Sequence, residues 1–178
     1  MTRITLNIFD VTPQKALLSH FRAVALATVL SLVVTPLAAQ GWQKGLDAYN
    51  AGDYSAAISE WQPLVDQGHG EAALKLGGMY MRGEGVLQDY AERLRLYQLA
   101  AKQLVVAQFF LGVIYQDGDG VPQDNVLAHM WYNIASANGS SSGGLRDQLA
   151  EGMTQADIST AQAMARECMG SGYQNCGY

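Results

Sequence analysis

The chain has few of the residues from which reactive centres are usually built. Its 178 residues include two cysteines, three histidines and four prolines, and 15% of positions are charged. Two cysteines exclude a disulfide-dense scaffold, and the few Cys and His leave a zinc site short of ligands. Little proline beside 49% apolar content describes a folded chain rather than a disordered tail. Eleven Lys and Arg stand against sixteen Asp and Glu, for a net charge of −5. No basic stripe is present to replace the counterions of a nucleic acid, so no nucleic acid partner is expected. A long hydrophobic run is missing too. The longest, AVALATVLSLVV from Ala23 to Val34, falls short of the roughly 20 residues that span a bilayer.

That run does match the core of a secretory leader. Lys15, His20 and Arg22 precede it, and TPLAA follows it up to Ala39. The spacing predicts a signal peptide over 1–39 with cleavage after Ala39; helix-breaking Pro36 argues against an uncleaved anchor. Residues 40–178 then form one domain, periplasmic or secreted, with no integral membrane span. Arg3, Lys15, Arg22 and Asp10 leave with the leader, which takes the net charge from −5 to −7. In an oxidising compartment Cys168 and Cys176 are expected to form a disulfide across a loop made pliable by Gly170 and Gly172. So short a loop contributes about 2–3 kcal/mol by restricting the unfolded chain. Neither His69 nor His129 is near them in sequence, and their spacing matches no zinc pattern.

An internal repeat organises the rest. The 31 residues from Ala72 align without gaps on those from Ala107, and eleven positions are identical: Ala72/Ala107, Leu76/Leu111, Gly77/Gly112, Tyr80/Tyr115, Gly83/Gly118, Gly85/Gly120, Val86/Val121, Gln88/Gln123, Asp89/Asp124, Tyr97/Tyr132 and Ala100/Ala135. Each has a physical task. Ala72, Leu76 and Tyr80 step by four and predict one apolar helical stripe, beside which Gly77 admits a neighbouring helix. Gly83 and Gly118 fall where a helix ends in a left-handed residue, and Asp89 and Asp124 where an N-cap opens the next helix. The unit is helix, glycine loop, helix.

LGGMYMRGEGVLQDYAERLRLYQLAA and LGVIYQDGDGVPQDNVLAHMWYNIASANG resemble Sel1-like repeats, a family related to the tetratricopeptide repeat. The resemblance rests on LGxxY, GxGV, QD and WY at fixed offsets and extends from about Gly41 to the C-terminus. It implies an all-α fold: a short right-handed superhelical solenoid of about four antiparallel helix pairs. These are a degenerate opening unit (41–69), two repeats (70–103 and 104–139) and a closing pair with a disulfide-tied tail (145–178). Gly52 should break the first helix, Asp53 cap the second, and Thr154 with Asp157 form a capping box. Some positions depart from the family. Arg93 replaces a small residue and Leu96 a tryptophan, which predicts looser packing in the first repeat. Gln103 and Leu104 replace the usual inter-repeat glycine, and SSSGG (140–144) reads as a flexible linker.

Chemistry finds little support. GxSxG occurs only as GSSSG at 139–143, within a glycine-bounded linker and not on the strand-to-helix turn that a nucleophilic serine needs, and His129 and His69 are read as packing or surface residues. DGDGVPQD (117–124) puts Val121 and Pro122 where a calcium loop needs an oxygen ligand and a glycine. No metal, cofactor or catalytic residue is assigned. What remains is the face on which the two copies differ. There Lys75, Met79 and Arg82 correspond to Phe110, Ile114 and Asp117, and Val113 adds to the apolar side. If these positions face outward they form a protein or peptide site; the other reading is that the closing helices cover them. The family resemblance implies an exported adaptor or scaffold binding a protein or peptide on its concave face. The alternatives are an envelope hydrolase that interacts with β-lactams and a structural component of the cell wall.

Overall fold

Helix starts and stops are written in side chains that the structure, a computed structural model, shows at work. It describes residues 38–177; the apolar run and nearly all of the expected leader lie outside the described residues. Eight helices follow one another among the described residues: α1 (38–50), α2 (Tyr54–Asp66), α3 (Gly70–Arg82), α4 (Tyr90–Ala101), α5 (Val105–Asp117), α6 (Asn125–Ala137), α7 (Gly143–Ala150) and α8 (Gln155–Gly170). No strand occurs among the described residues. The Asp53, Asp89 and Asp124 carboxylates accept backbone N–H bonds of 2.9–3.0 Å at the starts of α2, α4 and α6. Thr154 does the same for α8 and donates its hydroxyl to Asp157. Gly83 and Gly118 end α3 and α5 with φ of 67° and 69°, a conformation costly for a residue with a Cβ.

From Gly41 onward the chain is one compact unit in which α2 packs on α3, α3 on α4, α4 on α5 and α5 on α6. Within each repeat the two helices meet at a glycine. A Cβ on Gly77 would lie 2.5 Å from the Tyr97 ring, and one on Gly112 equally close to Tyr132. The core runs along the stack through Trp61, Leu76, Met79, Leu96, Leu111, Met130 and Trp131, all without exposed surface. At the end α7 and α8 both pack on α6, closing the apolar edge a further repeat would otherwise cover.

Two expectations are corrected. The first repeat is not loosened: Leu96 is fully buried, and Arg93, 2% exposed, donates from Nη1 to Asp119 Oδ2 at 2.6 Å and from Nη2 to the Asp119 carbonyl. The Tyr90 ring covers that guanidinium at 5.0 Å. A long side chain thus spans the space a small residue would leave, and ties α4 to the loop of the next repeat. Gln103 likewise closes its junction, donating to the Gly68 carbonyl at 2.6 Å and accepting from Gly70 N–H at 3.4 Å. SSSGG is no linker. Gly143 and Gly144 form the first turn of α7, and Ser142 is buried with its hydroxyl donating to the Tyr132 carbonyl.

Cys168 and Cys176 are joined by a disulfide. The tail it holds brings the Tyr173 hydroxyl to Asn138 Nδ2 at 2.8 Å; Asn138 also donates to Gln108, which in turn donates to the Ala101 carbonyl. The tail is thereby linked through Asn138 to the turn between α4 and α5. Among the described residues no helix is long and apolar enough to cross a membrane.

Candidate functional site

A repeat whose copies differ on one face leaves that face unmatched when it stacks, and here the mismatch opens a cavity. Its volume is about 520 Å³, and α1, α3, α4, α5 and the loop after α5 contribute to its walls. Five of the seven face residues named from sequence line it: Lys75, Arg82, Phe110, Val113 and Ile114. The other two do not. Met79 has no exposed surface, and Asp117 lies outside the lining, where Asp119 takes its place.

Met79 and Ile114 therefore do not face outward as expected; Ile114 is 4% exposed and reaches the cavity from below. The reason is tertiary. α3 packs on both α2 and α4, and α5 on both α4 and α6, so each first helix buries two stripes and leaves a narrow strip open. None of the lining residues comes from α7 or α8, so the closing helices do not cover this face.

The cavity is chemically two-sided. Where α4 meets α5, the Tyr97 and Phe110 rings stack with centroids 5.6 Å apart, and Val113 and Ile114 continue the apolar wall. Phe110 remains 36% exposed there. Burial pushes the Tyr97 phenol up from its ordinary pKa, so it stays a neutral hydroxyl. Toward α1 the wall is cationic. Lys75 Nζ lies 5.9 Å from the centre of the Tyr49 ring. Arg82 donates to Glu84 at 2.8 Å and to the Tyr49 hydroxyl at 3.1 Å. The guanidinium holds the Glu84 carboxyl below its usual range, chiefly through that hydrogen bond, and Glu84 in turn raises Arg82.

Sequence reasoning missed Tyr49, Arg93, Tyr97 and Asp119 as lining residues. Tyr97 is shared by both copies, so a comparison of the copies does not single it out, and it also joins the core. Arg93 carried a usable signal, since a long cation in place of a small residue needs both space and a partner. The two histidines have structural surroundings: His69 Nδ1 accepts from Ala72 N–H to cap α3 while its ring stacks on Trp42. His129 is buried on α6, and burial, helped by the nearby Arg146, holds its imidazole below its usual pKa.

Successive helix pairs with glycine loops and an open inner face define a helical-repeat solenoid. Residues 70–103 and 105–140 match the family model of the Sel1 repeat, and the chain is a Sel1-repeat protein. It is similar to the chitin synthase regulatory factor 3 of Schizosaccharomyces pombe, with 39% identity over 78 residues, covering 42% of this chain and 8% of that protein. Protein sel-1 homolog 2 of Homo sapiens is 43% identical over 85 residues, 47% of this chain and 12% of that one. An Arabidopsis thaliana component of an ERAD-associated E3 ubiquitin-protein ligase is 34% identical over 83 residues, 46% of this chain and 14% of that one. The chain thus spans about a tenth of the length of these relatives. Among solved structures, a Sel1 repeat protein from Oxalobacter formigenes superposes with a TM-score of 0.57 at 29% identity, covering 70% of this chain and 97% of that one. A protective antigen of uropathogenic Escherichia coli shares the fold with a TM-score of 0.68 at 23% identity, over 76% of this chain and 31% of that one.

Proposed function

We propose that this protein is an exported protein–protein interaction module, an adaptor or regulator of the bacterial envelope, whose concave face receives a peptide or protein. One observation carries the reading: the cavity between the repeats stays open, with an aromatic wall that no element among the described residues covers. Open apolar concavity with a few convergent polar groups is the common form of a binding site. Relatives named as a regulatory factor and as a ligase component fit a role in assembly rather than turnover. Catalysis has little support from the lining, which offers no serine, cysteine or histidine; its carboxylate, Asp119, is paired with Arg93. The leader-like run at 23–34 and the disulfide support an oxidising compartment outside the cytoplasm.

The test is photocrosslinking in the native cells, with a benzophenone amino acid at position 110 on the cavity wall or at position 162 on the exposed side of α8. A discrete protein adduct at 110 and none at 162 is expected. Equal adducts at both positions, or none at 110, would refute the concave-face reading. Export is tested separately by cell fractionation, and recovery of the chain in the cytoplasm with two alkylatable thiols would refute it.

A further inference from the structure

The charges around the cavity go further and specify what the occupant must carry. The protein is acidic overall, with a net charge of −5, yet the lining holds three cationic side chains, Lys75, Arg82 and Arg93, against the single carboxylate of Asp119. A low-dielectric concavity of one sign concentrates ligands of the other. The three cations are not equally engaged. Arg82 is held by Glu84 and Arg93 by Asp119. Lys75 has no anionic partner among the described residues; its ammonium lies near the Tyr49 ring. Arg93 adds a second, independent sign. Its side chain is 2% exposed, and its buried Nε–H has no acceptor although both Nη atoms are bonded. A buried donor left unpaired is costly, and because Arg93 also lines the cavity, a small shift of its side chain toward a ligand oxygen there would relieve it.

We infer that the occupant is an extended peptide segment in which an acidic side chain lies close to an aromatic or large apolar one. The carboxylate is received at the cationic side by Lys75, and the apolar side chain lies on the Tyr97–Phe110 stack. A backbone or carboxylate oxygen accepts from Arg93 Nε as the segment crosses α4. The wall is built from three successive helix pairs and is open, so it suits a segment passing through rather than a small enclosed molecule. This inference rests on the concave-face reading above and narrows it to one ligand chemistry.

The experiment uses the purified full chain and three probes: the capped pentapeptide Phe-Ala-Glu-Ala-Phe and the versions with Gln or Lys in place of Glu. Binding is followed by NMR chemical-shift titration of the residues around Lys75, Phe110 and Val113. The Glu peptide should bind at least about tenfold tighter than the Gln peptide and the Lys peptide weakest, with the Glu preference shrinking as salt rises. In Lys75→Ala the Glu and Gln peptides should converge while the Gln peptide keeps its wild-type affinity. Lys75 is exposed, so this variant should fold, and unchanged amide spectra away from the cavity verify it. Equal affinities of the Glu and Gln peptides for the wild type would overturn the inference and leave the concave-face reading standing. Shifts confined to residues outside the cavity, or no shifts with any peptide, would also overturn it; the crosslink at position 110 then decides the broader reading by itself.

Discussion

A glycine-to-alanine exchange at Gly112 should destabilise the protein, whereas the same exchange at Gly144 should stabilise it. Both glycines are helical, and in a helix alanine is favoured over glycine by about 1 kcal/mol in the interior and less near an end. At Gly144, in the first turn of α7, an added Cβ meets nothing within 4 Å, so the gain should appear as about 0.5 kcal/mol. At Gly112 the Cβ would lie 2.5 Å from both Cδ1 and Cε1 of Tyr132. That ring cannot swing away. It is 1% exposed, and its hydroxyl is bonded to Gln116 at 2.6 Å. Overpacking of this kind costs about 1–3 kcal/mol, which exceeds the propensity gain and leaves a net loss of about 1–2 kcal/mol. Urea unfolding followed by circular dichroism at 222 nm measures both variants, and the loss should appear as a lower midpoint at unchanged slope. In a Tyr132→Leu background the cost at Gly112 should shrink, because the two sites share one contact. A Gly112→Ala protein as stable as the wild type would refute the claim that this glycine sets the helix–helix distance.

Other perturbations address the ties between units. Asp119→Ala leaves the buried Arg93 cation without its carboxylate and should cost about 1–2 kcal/mol, less than a fully buried pair because Asp119 is half exposed. Arg93→Met, which removes the charge, should cost less than Asp119→Ala in the same urea titration. Reduction of Cys168–Cys176 should lower stability by about 2–3 kcal/mol, and hydrogen exchange should show the segment around Tyr173 losing protection together with the Asn138 side-chain amide. His129 is held below its usual pKa in the folded chain, so the unfolded chain takes up the proton first. Stability should therefore fall as pH drops below about 6.5, and a His129→Gln variant should show a flatter profile over that window.

The repeat, its capping aspartates and its left-handed glycines were legible in the sequence because each answers to local physics. A carboxylate just ahead of a helix bonds free N–H groups whatever packs around it, and a residue with φ near +67° favours glycine in any fold. The 35-residue offset between identical positions likewise needs no third dimension to be seen, and it led directly to the Sel1 family. The cavity was legible in part. Lys75, Arg82, Phe110, Val113 and Ile114 were found as the places where two otherwise matching copies disagree.

Only the tertiary structure decided which of those positions reach solvent. Met79 and Lys75 lie four residues apart on one helix, yet one is fully buried and the other exposed, because α3 is flanked by α2 and α4 as well as by open space. Periodicity describes the faces of a single helix but does not say how many neighbours it has. The pairing of Arg93 with Asp119, 26 residues away, and the turn of SSSGG into the start of α7 have the same origin. Each depends on what the stack brings beside a residue, so the sequence by itself determined the unit, and the packing of units against one another determined the site.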